Sequence, residues 1–151
     1  MRKAIVMVLT GLFLAVGSFS VAEEHGTAAQ ARLLVEKAAE FVKAHGKEKA
    51  LAEFNNPKGQ FVKGDLYIGA WDLNGKILSH PMNPKMVGVN GLNVPDAEGK
   101  LFRKEGIELV KAKGSGWIDY KYKNPVTNQI EQKTSYVKKV DDMVLLCGAY
   151  K

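Results

Sequence analysis

The chain is 151 residues long, 46 % hydrophobic and 25 % charged, with a formal net charge of +6 and a single cysteine. That length fits one domain able to bury a core without staples, and the lone cysteine excludes an internal disulfide. Lysines and glutamates are interleaved rather than blocked, which describes a solvated surface and argues against a nucleic-acid partner.

Residues 1–22 read as a secretory signal. Arg2 and Lys3 form its positive start, residues 4–16 its apolar middle, and Ser20, Val21 and Ala22 a small-x-small cleavage site ahead of Glu23. The apolar run is shorter than the ~20 residues of a membrane span. An uncleaved anchor is the competing reading. The expectation is one periplasmic or secreted domain over residues 23–151, with no membrane span after cleavage and a net charge lowered by the loss of Arg2 and Lys3.

Thr27 and Gln30 have capping-box spacing and open a helix. Leu34, Val35, Ala38, Ala39, Phe41 and Val42 recur at helical spacing, and Gly46 ends the run. Residues 47–54 form a second short helix that buries Leu51 and Phe54, broken by Asn55-Asn56-Pro57-Lys58-Gly59. Residues 66–73 read as one strand. Asn74-Gly75 is then a tight turn in which both residues accept positive φ, and residues 76–80 return as the partner strand.

Residues 81–99 are rich in Pro, Gly and Asn and have the length of a binding loop, with Met82, Met86, Val87 and Leu92 to fold it onto the sheet. A helix over residues 97–113 follows, with Phe102, Gly106, Leu109 and Val110 on one face. Residues 114–140 hold two strands joined by a turn at Asn124, Pro125 and Asn128. Asp141-Asp142 turns the chain into the last strand, residues 143–150, where Cys147 sits in a run apolar on both faces and reads as a buried, inert thiol. The element order predicts an α+β fold: a five-stranded antiparallel sheet, backed on one face by the long N-terminal helix and covered on the other by the loop and helix.

One lysine, Lys133, interrupts a strand where a packing residue is normal, and a cation beside aromatics suits a small anion. Tyr120 and Tyr136 offer phenolic donors, and Trp117 and Trp71 apolar walls. His80, at the mouth of the loop, could donate to a second oxygen and would be charged next to an anion. Met86 could line the pocket from the loop. Strand alternation puts Lys133 with Ser135 and Val137, turns Tyr136 the other way unless the strand bulges, and separates Trp117 from Tyr120, so these residues cannot all meet. Lys133, Tyr120, His80 and Trp117 rank first. No HExxH, CxxCH or paired-cysteine spacing exists, Gly114-Ser115-Gly116 lacks a nucleophile elbow, and no spacing selects an acid–base pair. The expectation is therefore no catalysis, no metal and no cofactor.

Tyr67-Ile68-Gly69-Ala70-Trp71-Asp72, Gly75, Ile77-Leu78-Ser79-His80-Pro81, Gly116-Trp117-Ile118-Asp119-Tyr120, Asn124-Pro125, Lys133-Thr134-Ser135-Tyr136-Val137-Lys138 and Gly148-Ala149-Tyr150 resemble, in order and spacing, the single Cache family, second single-Cache type, over roughly residues 31–150. The resemblance implies a PAS-like fold with a curved antiparallel sheet. It also implies the role of an extracellular sensor of chemoreceptors and sensor kinases, and a small carboxylate or related metabolite, such as an amino acid, held between sheet and covering loop. The sequence ends at Lys151 with no second hydrophobic span, so the expected form is an input module that passes its occupancy to a membrane-bound signalling or transport partner. The runner-up is a protein-interaction module with a vestigial pocket, and a hydrolase using His80 with an acid stands third.

Overall fold

Thr27 Oγ1 accepts the Gln30 N–H, and the Gln30 side chain accepts the Thr27 N–H, so the first helix, α1 (Ala28–His45), opens on a complete capping box. Replacing Thr27 with Ala should lower stability by about 1 kcal/mol in denaturant unfolding. α1 turns Ala31, Leu34, Val35, Ala38, Ala39 and Val42 inward, and its alanines let the axis lie close to the sheet. Gly46, at φ 83°, ends α1 and starts α2 (Lys47–Phe54), matching the expected boundary. The computed structural model describes residues 25–151. The signal segment read over residues 1–22 lies outside them.

The stretch expected as one strand over residues 66–73 is split. A short ribbon, β1 (Val62–Lys63) with β2 (Leu66–Tyr67), precedes β3 (Gly69–Asp72), and the break falls at Ile68. β3 pairs with β4 (Ile77–Ser79) across a four-residue loop. The Asp72 carbonyl accepts the Gly75 N–H, and the Asp72 N–H reaches the Lys76 carbonyl at 2.9 Å. Only Gly75, at φ 91°, is left-handed, so Asn74 does not take the positive φ expected of it. The Asp72 carboxylate explains the difference: it accepts the N–H groups of Asn74 and Lys76 and holds the loop in a side-chain-capped turn.

A loop with one 3-10 turn, Pro84–Met86, leads to α3 (Phe102–Lys113). α3 starts later than residue 97 because Asp96 commits its carboxylate elsewhere. Its oxygens accept the N–H groups of Glu98 and Lys100 and, 2.9 Å away, of Lys121. This pins the covering loop to the outer edge of β5 (Ser115–Lys123). β6 (Ile130–Val140) and β7 (Met143–Tyr150) complete a sheet ordered β4-β3-β7-β6-β5, antiparallel throughout. The last strand thus enters the centre, and both of its faces are buried.

Alternation along β6 and β7 divides the core. Tyr136, Val140, Met143, Leu145, Cys147 and Ala149 pack under α1. Val137, Val144 and Leu146 face α3 together with Trp71, Ile77, Phe102, Ile118 and Tyr120. The second face is where the chain places its buried lysine and arginine, Lys133 and Arg103.

Candidate functional site

Lys133 lies on the α3 side of β6 and is only 3 % exposed. Its Nζ donates to the hydroxyls of Tyr67 and Tyr150, each at 3.2 Å, and sits 4.4 and 4.5 Å from the centres of their rings. Register produces this cage. Lys133 pairs with Tyr150 on β7 and with Tyr120 on β5, and the Tyr120 hydroxyl meets Ser135 Oγ at 2.9 Å. The stem of Lys133 passes over Gly148, where a methyl group would lie 2.5 Å from Cε.

Arg103 enters from the opposite side, one residue into α3, and is equally buried at 3 % exposure. Its guanidinium lies 4.3 Å from the centre of the Phe102 ring. Phe102 is in turn stacked flat on Tyr120, with ring centres 4.0 Å apart. Lys133 and Arg103 line one cavity of about 30 Å³ together with Trp71, Tyr122, Ser79 and His80. No Asp or Glu lines it, and among the described residues neither cation is in a salt bridge.

The tyrosines do not supply the missing negative charge. Burial pushes the Tyr120 phenol up to about 12, against the pull of Lys133, and raises Tyr67, Tyr122 and Tyr150 as well. All four stay protonated and contribute dipoles. Two buried cations with only dipoles around them carry a desolvation cost that a bound anion would offset.

His80 is held neutral. Burial and then the charges of Lys133 and Arg103 bring its pKa down to about 4. Its Nδ1 faces the Asn83 N–H at 3.0 Å and so accepts, leaving Nε2–H to donate to the Tyr122 hydroxyl at 3.1 Å. The charged form expected beside an anion is therefore not the form of the unliganded site. The unfolded imidazole takes up its proton near pH 6.5 and the folded one only near pH 4. Stability from this group is fully present above pH 6.5 and is lost as the pH falls towards 4, by about 3 kcal/mol in all. Urea unfolding across that range checks this: replacement of His80 with Gln should flatten the slope, and an unchanged slope would remove His80 as its source.

Of the residues singled out in the sequence, Lys133, Tyr120, His80 and Trp71 line the cavity. Trp117 does not: it is 41 % exposed on the α1 side of β5, packed on Tyr136 with ring centres 5.2 Å apart. Tyr136, paired with Trp117 in the β5–β6 register, shares that face, where its hydroxyl donates to Glu36. No bulge reverses either side chain, so alternation decides against both. Met86, on the 3-10 turn, is half-buried against the α3-side core without reaching the cavity. Arg103, Tyr67, Tyr122, Tyr150 and Ser79 were missed as site residues. Cys147 is buried, as expected of an inert thiol, and burial pushes its pKa up to about 12. Among the described residues no group of His, Cys, Asp or Glu could hold a metal, and no helix is long and apolar enough to cross a membrane.

Comparison with known proteins supplies the family. The chain is 35 % identical over 77 residues to the sensor histidine kinase MctS of Rhizobium johnstonii, a match covering 51 % of this chain and 16 % of that protein. It thus spans only a small part of the curated relatives it matches. The fold superposes on a periplasmic sensor domain of a chemotaxis protein with TM-score 0.65 and 26 % identity, covering 79 % of this chain and 86 % of the other. It superposes on a Cache chemosensory domain, solved for its recognition of carboxylic acid, with TM-score 0.69 and 26 % identity, covering 81 % and 91 %. Both share the α+β, PAS-like architecture of a long helix on a five-stranded antiparallel sheet. The description "Single Cache domain 2" matches residues 27–151, and the chain belongs to this family of extracellular sensor domains.

Proposed function

We propose that this domain is a periplasmic or secreted sensor module that binds a small carboxylate in the cavity between β6 and α3, and that its occupancy is read by a membrane-bound signalling partner. The observation that carries the reading is Lys133, a buried cation on dipoles alone with no acid on the cavity wall. Lys133, Tyr120 and His80 are the binding residues, and Trp71 with Phe102 and Leu146 is the apolar wall. The family is one of signalling and ligand binding rather than catalysis, and the role is binding without turnover. A carboxylate-binding relative and kinase and chemoreceptor relatives support the same reading.

The same charges narrow the ligand. An α-amino acid would bring an ammonium group into a site that already holds two buried cations and offers no carboxylate to receive it. A small cavity also favours few heavy atoms. Calorimetric titration with propionate and lactate, each compared with alanine, tests this directly because the three have nearly the same skeleton. Propionate or lactate should bind and alanine should not. Alanine binding alone would overturn the carboxylate assignment.

A further inference from the structure

We propose that the open edge of β5 at Ser115 and Trp117 is a docking site for an extended, acidic segment of a partner protein, which joins the sheet as an added strand. This gives the signalling partner of the reading above a surface and a chemistry, and it does not depend on what fills the cavity.

β5 is an outer strand of the sheet, and β6 is its only neighbour there. Its backbone groups alternate between that neighbour and the outside. The Gly114 carbonyl accepts the Lys139 N–H at 2.8 Å, so the even-numbered residues turn towards β6 and the odd-numbered ones turn out. Towards the cavity end the outward groups are taken. The Lys121 N–H donates to Asp96 at 2.9 Å, and the Asp119 carbonyl accepts from Lys100 Nζ. Nearer Gly114 the cover does not reach them. Among the described residues, the N–H and carbonyl groups of Ser115 and Trp117 have no hydrogen-bond partner. An unpaired edge is a template for another strand.

The side chains fit the same use. α1 lies over β6 and β7 rather than β5, so Trp117 stays exposed beside it. The indole is nevertheless held: it packs on Tyr136, and Tyr136 lies 5.2 Å from the Arg32 guanidinium. An exposed indole fixed on a strand anchors an apolar side chain of the segment beside it.

Charge selects the occupant. Arg32, Lys113 and Lys139 flank this edge, and among the described residues none of them is in a salt bridge. The acids on the Trp117 face are already engaged, Glu36 by Lys138 and Asp119 by Lys151. A second copy of the chain would bring the same cations against these, whereas an acidic segment is drawn in. Tyr120, further along the same strand, lines the cavity, so the docked segment lies on a strand that walls the ligand site.

The test titrates the purified protein by calorimetry with a short, end-blocked peptide of alternating glutamate and valine, and follows amide exchange in β5. The peptide should bind, and the Ser115 and Trp117 amides should become protected. A lysine–valine counterpart has the wrong charge, and a fully N-methylated glutamate–valine peptide cannot pair, so neither should bind. Trp117→Thr keeps a residue suited to a strand and should bind the peptide about tenfold more weakly, with carboxylate binding unchanged. Lys113→Glu combined with Lys139→Glu should weaken peptide binding by a similar factor. Failure of the glutamate–valine peptide to bind would overturn the edge site. So would binding that survives N-methylation or leaves those two amides unprotected. Protection of the same amides by self-association, without peptide, would give the edge to a second copy instead. Carboxylate titration decides the earlier reading separately: its failure leaves the peptide result standing, and failure of the peptide leaves the cavity untouched.

Discussion

Lys133→Met should abolish carboxylate binding while leaving the fold as stable as before, within about 1 kcal/mol. The two halves of this expectation have different causes. Loss of a buried, hydrogen-bonded charge partner weakens an interaction by about 2–5 kcal/mol, which is a fall in affinity of roughly 30-fold to several thousand-fold. Folding responds differently. The unliganded protein already bears the cost of an ammonium 3 % exposed with no counter-charge, and a thioether of similar length removes it. Against that, the hydroxyls of Tyr67 and Tyr150 each lose a donor, worth about 1 kcal/mol apiece. Tyr150 keeps its own bond to the Lys123 carbonyl at 2.9 Å, so its ring stays in place. Calorimetric titration beside urea unfolding separates the two effects. A variant that binds normally would take Lys133 out of the site, and one that loses several kcal/mol of stability would make it a structural residue instead.

Gly148→Ala should cost stability and binding together. Gly148 faces Ser135 in the β6–β7 register, and a Cβ there would lie 2.1 Å from Ser135 Oγ, 2.5 Å from Lys133 Cε and 2.9 Å from its Cγ. The backbone at this position is not left-handed, so the residue can adopt the conformation and only the space is wanting. Overpacking of a filled core costs about 1–3 kcal/mol, and the value here should lie at the upper end because the strand is central and both neighbours are buried. The methyl also pushes Lys133 off its tyrosines, so binding should be lost with stability. Ser135→Ala removes the closest atom and should return part of the stability in the double variant. Full additivity of the two costs would mean that the clash is not with Ser135.

The local rules read well where they were sufficient. The Thr27–Gln30 box and the Gly46 stop mark the helix ends because those residues satisfy backbone groups by themselves, with no help from distant chain. The split at Ile68 and the departure from the expected Asn74 geometry were hidden because each depends on a partner: the central position of β7 in one case and the Asp72 carboxylate in the other. The site was half legible. Alternation already set Lys133 with Ser135 and against Tyr136 and separated Trp117 from Tyr120, and the observed strands keep to it, although Trp117 was ranked with Lys133. Tyr150 was legible in principle: the Asp141-Asp142 turn sets the β6–β7 register that places it beside Lys133. Arg103 left a fainter trace. It shares the helical phase of Gly106, Ile107 and Val110, yet it stands among Lys100, Lys104 and Glu105, where a cation looks like ordinary solvated surface. Only the packing of α3 on the sheet reveals it as buried.

Thermal melting of the purified protein against a panel of short carboxylates and amino acids tests the central claim most directly. A ligand at a hundred times its dissociation constant adds about 2.7 kcal/mol to stability, which for a domain of this size is a rise of roughly 7–11 °C. The buried, acid-free cavity around Lys133 predicts a saturable rise with small carboxylates and none with amino acids. A flat response across the whole panel would contradict a carboxylate site and turn the search to protein partners.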